Sequence, residues 1–265
     1  MKRSLSLENY SSSSCKFLGV KLDPLSITQL NSLIAKSVEQ SQKWVIANHN
    51  LHSLYIYHHN PKMRVFYDKA DYIHIDGMPL ILFGKLLGFP LKREQRVTYA
   101  DWVWSLMAES ARKSWRIFYL GSKPGVAEKG AILLREKFPG LQIATEHGYI
   151  DMKKGSSDRS NVLAKINAYQ PHILMVGMGM PRQEHWILDN LEDINTNAIL
   201  PSGACIDYVA GAVPTPPRWM GKLGLEWLYR LISEPKRLWK RYLIEPWFVV
   251  KIFLQEVILN FFKRT

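Results

Sequence analysis

An aspartate followed directly by glycine closes the strand-like stretch Asp71-Tyr-Ile-His-Ile-Asp-Gly-Met-Pro79. Ile73 and Ile75 alternate with Tyr72 and His74, the period of a strand. Gly77 allows a tight turn, and Pro79 suits the first turn of a helix over Met78–Leu87. Asp76 is therefore expected at the carboxyl end of a strand, the edge where open α/β sheets bind ligands. A carboxylate there is placed to meet a ligand. The plainer alternative is that Asp76 caps the following helix.

Two glycine loops could hold phosphate. Gly121-Ser-Lys-Pro-Gly125, with Gly121, Pro124 and Gly125, joins a predicted strand, Trp115–Leu120, to a helix over Val126–Phe138. Backbone N–H groups at a helix N-terminus bind phosphate, and glycine permits close approach. The loop lacks the Gly-Lys-Ser/Thr ending of a Walker loop and is not a dinucleotide fingerprint, so a plain tight turn is the competing reading. Gly177-Met-Gly-Met-Pro-Arg-Gln-Glu184 is built alike, with Gly177 and Gly179 before a helix over Arg182–Leu191. Gln183 there could hydrogen-bond a sugar, and Glu184 could bind ligand or simply complement the helix dipole. A third group is cationic. Arg230, Arg237 and Arg241, with Lys236 and Lys240, recur at spacings that place them on one helical face beside Trp and Leu, a surface for pyrophosphate or anionic lipid.

The elements that position these groups alternate. Strands are expected over 16–21, 43–48, 71–75, 115–120, 141–146, 172–176 and 197–201, and helices lie between them. Ser26 with Gln29 forms a capping box for a helix reaching about Gln40, and Pro61 breaks the helix that follows Asn48-His-Asn50. The fold class is α/β, a largely parallel sheet with helices on both faces, Rossmann-like, followed by a C-terminal helical appendage. Residues 1–16 read as a disordered tail, 17–212 as the α/β domain, and 213–265 as a basic, aromatic, membrane-associating appendage beyond the hinge Val213-Pro-Thr-Pro-Pro217.

Composition narrows the function. The net charge of +12 favours an anionic partner, and from Pro216 onward there are ten Lys/Arg against four Glu. Two distant cysteines, Cys15 and Cys205, suit a reducing compartment. His49, His52, His58 and His59 lack a metal-site pattern, and no Asp-x-Asp occurs, so no metal and no cofactor are expected. No segment reaches the roughly 18 uncharged apolar residues of a membrane span. Residues 247–262 have a narrow polar stripe that fits either packing on the body or an interfacial helix. A dehydrogenase lacks its fingerprint here. The basic charge also allows a non-catalytic module for anionic lipid or nucleic acid, but no nucleic-acid reading motif is present.

Taken together, Ile75-Asp-Gly-Met-Pro79, Gly177–Glu184, Pro217-Arg-Trp-Met-Gly-Lys-Leu-Gly-Leu-Glu-Trp-Leu-Tyr-Arg230 and Glu234-Pro-Lys-Arg237 resemble the WecG/TagA/CpsF glycosyltransferases, over about residues 17–245. The resemblance implies an inverting, metal-independent transferase. It would move a sugar, an N-acetylmannosamine-type or related hexose, from a UDP-sugar donor to a polyprenyl-pyrophosphate-linked sugar acceptor. It implies a cytoplasmic enzyme peripheral on the inner face of a bacterial plasma membrane, in polysaccharide or teichoic acid synthesis. Asp76 matches the family's proposed base. Asn48, Arg96, Gln183, Arg230 and Arg237 match its substrate-binding positions, with Lys240 or Arg241 as the last arginine. Ile46 stands where relatives often have Thr, and Arg182 where they have Lys. An apolar appendage would also allow a homo-oligomer.

Overall fold

The computed structural model describes residues 14–153, 155–215, 217, 219–220 and 225–262. Most of the expected tail, residues 1–13, lies outside them, as do Arg218, Lys222 and the glycines of the motif before Arg230.

The chain opens with a correction. The single strand expected over 16–21 is a hairpin: β1 (Cys15–Phe17) and β2 (Val20–Leu22) pair antiparallel, apart from the main sheet. Leu18 and Gly19 both take positive φ, 53° and 76°, the two-residue turn whose twist suits a hairpin. Cys15 and Lys16 therefore belong to a strand rather than to the tail.

Six strands build the main sheet: β3 (Trp44–His49), β4 (Tyr72–Ile75), β5 (Arg116–Gly121), β6 (Gln142–Glu146), β7 (Ile173–Gly177) and β8 (Ala198–Pro201). They run in the order β4-β3-β8-β7-β5-β6, and every pairing is parallel. Most strands are apolar on both sides because helices cover both faces. One face buries Val45, Ile73, Ile75, Leu174 and Ile199 against α2 (Leu51–His59), α3 (Pro61–Lys69), α4 (Met78–Leu86), α7 (Ser157–Tyr169) and α8 (Arg182–Asn190). The other buries Ile46, Ile117, Ile173 and Leu200 against α1 (Ile27–Glu39), α5 (Tyr99–Arg112), α6 (Val126–Lys137) and α9 (Cys205–Val209). Ser26 and Gln29 form the expected capping box on α1. α9 had no counterpart in the sequence reading.

The outer edge of β4 is not left bare. Asp23 brackets Ile73, donating from its N–H and accepting the Ile73 N–H on its carboxylate, and Val97 N–H donates to Ile75 O at 2.8 Å. Arg96 bridges to Ile75 in parallel register. These contacts satisfy edge groups that would otherwise seek another strand, and they fix Arg96 beside the end of β4.

The C-terminal segment is α10 (Glu226–Ser233), α11 (Pro235–Trp239), a π-helical turn over Lys240–Ile244, and α12 (Glu245–Phe262). Glu234 leaves helical geometry at φ −136° and ψ 58°, just before Pro235. One uninterrupted basic helical face, as the spacing suggested, is therefore not what forms. α12 lays Val249, Phe248, Ile252 and Phe253 on the body, where Phe253 stacks on Phe83. No helix among the described residues is long and apolar enough to cross a membrane.

Candidate active site

β3 and β8 are neighbours, yet the helices that follow them, α2 and α9, pack on opposite faces of the sheet. Carboxyl ends part at such a point and leave a crevice. A cleft of about 470 Å³ opens there. Asn48 from β3, Asp76 after β4, and Pro201, Ser202 and Gly203 after β8 line its base. Arg93, Arg96 and the start of α5 line it as well, and so do Tyr208, Glu226, Arg230, Arg237 and Arg241.

Asp76 does not cap α4. Gly77 occupies the N-cap position, with no side-chain cap bond. The Asp76 N–H donates to His49 O at 2.8 Å and so continues the β3–β4 pairing, while its half-buried carboxylate accepts from Asn50 Nδ2 at 3.1 Å. Burial raises the Asp76 pKa above the ordinary 3.8. The Asn50 bond opposes that rise, Glu226 adds to it, and Arg96 and Arg230 oppose it. The result is a carboxylate with more proton affinity than a solvated one, as a general base wants.

Asn48 is 3% exposed and donates to Pro201 O at 3.1 Å, tying β3 to β8. Its Oδ1 is buried without a partner, and Tyr99 Oη, Ser202 Oγ and Arg230 Nε are likewise unpaired along the same cleft. Buried polar atoms are normally satisfied, so this cluster is where a polyhydroxylated or phosphorylated ligand would complete the bonding. Gln183 works between two loops. Its Oε1 accepts the N–H groups of Gly179 and Gly203 at 3.1 and 3.2 Å, and its Nε2 donates to Glu184 Oε1 at 2.7 Å. Glu184 itself is fully buried beneath the cleft and does not line it; burial pushes its pKa up to about 7, with the Gln183 bond opposing.

Among the described residues, five arginines line the cleft, Arg93, Arg96, Arg230, Arg237 and Arg241, against three carboxylates, Asp76, Asp101 and Glu226. The guanidinium of Arg96 lies between Glu226 (2.9 Å) and Asp101 (3.4 Å). Arg230 lies over the Tyr208 ring at 5.3 Å, and Arg237 pairs with Glu234. Arg241 is carried by the π-helical turn, a geometry that recurs at functional sites. The break at Glu234 and the π turn over Lys240–Ile244, rather than one regular helix, bring these arginines to one cleft.

The Gly121 loop is not part of the cleft lining, and neither is Gly177. Gly121 and Gly177 sit side by side at the ends of β5 and β7, and a Cβ on either would run into neighbouring backbone. Close strand approach accounts for both glycines. Pro124 and Gly125 are exposed at the start of α6, where Gly125 is left-handed with φ 79°. Gly179 does reach the cleft. The histidines have structural partners: His49 stacks on Tyr67 at 3.8 Å and bonds Ser53, His52 meets Glu245 at 2.6 Å, and His58 meets Leu18 O. Among the described residues no three His, Cys, Asp or Glu side chains gather as a metal site would need.

Asn50, Tyr99, Ser202, Tyr208 and Glu226 were not foreseen. Asn50 and Ser202 left a signal, each lying just past a strand that ends at the ligand edge; the others reach the cleft only through tertiary packing.

Comparison with known proteins adds an independent line. The model of the glycosyl transferase WecG/TagA/CpsF family matches residues 15–260. The N-acetylglucosaminyldiphosphoundecaprenol N-acetyl-beta-D-mannosaminyltransferase of Staphylococcus aureus (strain MW2) is 27% identical over 242 residues, covering 88% of this chain and 92% of its own length. The proteins of the same name from S. aureus strains NCTC 8325 / PS 47 and COL are similar to the same extent.

Proposed function

The chain belongs to the WecG/TagA/CpsF family of glycosyl transferases, and on that premise we propose that it moves an N-acetylmannosamine-type hexose from UDP to a sugar carried on polyprenyl pyrophosphate. The observation that carries this reading is Asp76, a carboxylate of raised proton affinity at the base of a cleft walled by arginines. The names of the S. aureus relatives supply the sugar and the acceptor type.

In this reading the acceptor hydroxyl lies against Asp76. Its oxygen forms the bond to the anomeric carbon from the face opposite the leaving group, and its proton passes to the Asp76 carboxylate. The bond from the anomeric carbon to the β-phosphate oxygen breaks, and UDP departs with that electron pair. Attack from the opposite face inverts the anomeric configuration. Asn50 holds the base in place. The charge growing on the diphosphate is met by the cleft-lining cations Arg230, Arg237 and Arg241. They do the electrostatic work that a divalent ion does in other sugar transferases, which makes the reaction metal-independent. Asn48 Oδ1, Tyr99 and Ser202 offer partners for sugar hydroxyls, and the Gln183 clamp shapes the two loops around them.

The acceptor is anchored in a bilayer, and α12 presents a row of exposed apolar side chains beside a basic segment, as an interfacial helix does. The enzyme thus works on a membrane surface.

A panel of UDP-sugars with a short-chain prenyl-pyrophosphate-sugar acceptor, with and without EDTA, tests this. Transfer with inversion, insensitive to EDTA, is expected. Retention of configuration, or no transfer from any UDP-sugar, overturns it.

A further inference from the structure

We propose that Glu226 is a positioning residue: by pairing with Arg96 it seats the helix that carries Arg230 over the cleft. The proposal rests on the transferase reading above and adds to it a residue which that reading does not use.

Arg96 is a fixed point. Its backbone bridges to Ile75 at the end of β4, and Val97 N–H donates to Ile75 O, so the residue belongs to the edge of the sheet. Its side chain is 11% exposed, with Nη2 at 2.9 Å from Glu226 Oε1 and Nη1 at 3.4 Å from Asp101 Oδ2. Glu226 is the first residue of α10, and Arg230 follows one helical turn later on the same face. α10 has no fully buried residue of its own. Trp227 and Arg230 meet Tyr242 within the C-terminal segment, and two polar anchors tie the helix to the body, Glu226 on Arg96 and Arg230 over the Tyr208 ring. Both lie at the cleft. A short helix lacking a buried apolar stripe has little else to hold it in register, so losing the first anchor leaves the second to wander. Asp101 keeps Arg96 paired when Glu226 is gone, so the loss falls on α10 rather than on the sheet edge.

The test uses the full chain. Glu226→Gln removes the charge and keeps the shape. Hydrogen exchange across 226–233 is expected to speed up by about tenfold with the sheet unaffected, and kcat to fall by about tenfold with the donor KM little changed. Glu226→Gln in an Arg230→Gln background is expected to lose nothing further, because the two act in series. Arg96→Gln, which removes the charge from the other side of the pair, should give the same local exchange. Unchanged exchange at 226–233 in both variants overturns the proposal, whatever the activity. Additive losses in the double variant overturn it as well. A wild-type chain that transfers no sugar sinks the transferase reading alone, and the exchange measurement still decides the role of Glu226.

Discussion

The Asn50 amide reaches Asp76 from a position that leaves it no freedom to flip. Its Oδ1 caps α2 by accepting the Ser53 N–H at 3.0 Å, so its Nδ2 must face the Asp76 carboxylate, 3.1 Å away. One side chain thus performs a structural task and a chemical one, and the two can be separated. Asn50→Asp keeps a good cap but sets a second carboxylate against the first. A like charge at that distance raises the Asp76 pKa further. Asp76 must be ionised to act as a base, so the loss in kcat/KM should be greatest at acid pH and shrink as pH rises. The pH profile checks this; a uniform loss at all pH values would mean that Asn50 does not tune the base.

Asp76→Asn should remove transfer while sparing donor binding. General base catalysis is worth about 10²–10⁴-fold, and the loss should fall in that range, with UDP binding by calorimetry little altered. Stability should move the other way. Burial raises the folded pKa of Asp76 above its unfolded value, so the native state binds the proton more tightly, and wild-type stability falls as pH climbs through the folded pKa. Asparagine carries no charge to bury. The variant should therefore melt higher than wild type at pH 8, with the margin narrowing as the pH falls into the acid range.

Glu184 gives a similar effect from a residue outside the cleft. Burial lifts its pKa from 4.5 to about 7, and its Oε2 has no partner. The stability of the protonated form is fully present below the unfolded pKa and is lost as pH rises through the folded one. The wild-type melting temperature should decline between these values and level off above them. Glu184→Gln removes that slope and should melt higher at pH 8, at roughly 2–4 °C per kcal/mol for a domain of this size. Melting curves from pH 4 to pH 8 check it, and parallel curves for both proteins would show that Glu184 titrates normally.

Most of the architecture was legible because its signals are local. Alternating Ile73 and Ile75, the Ser26 capping box and the break at Pro61 each act within a few residues, and the parallel sheet follows from their succession. The hairpin at Leu18-Gly19 was not, since a two-residue turn inside an apolar run looks like one strand until positive φ splits it. At the site, Asp76 stood out by its place after a strand. The Asn50 contact with it and the Arg96–Glu226 pair did not, because contacts across 26 residues and across 130 residues leave no periodicity to read. The arginines show both sides: their types and order pointed to one surface, but a break at Glu234 and a π turn, rather than a regular helix, bring them there.

α12 divides its two faces cleanly, which makes its role separable from folding. Val249 is fully buried, and Phe248 and Phe253 pack on Tyr55 and Phe83. Trp247, Leu254, Ile258 and Phe261, at spacings of seven, four and three, share the opposite side and are each more than half exposed. In the membrane-surface reading proposed above, this exposed apolar row beside lysines and arginines is the part that meets the bilayer. Leu254→Glu with Ile258→Glu should therefore abolish cosedimentation with anionic vesicles and leave the melting temperature within about a degree, since surface substitutions change stability little. Transfer to a water-soluble acceptor should persist, while transfer to a long-chain acceptor embedded in vesicles should fall. Val249→Glu should behave differently: a charge forced into the docked face lowers the melting temperature and loosens α12 from α2. Full vesicle binding by the Leu254→Glu, Ile258→Glu protein would show that the basic arginine-bearing segment, and not the apolar row, holds the enzyme on the membrane.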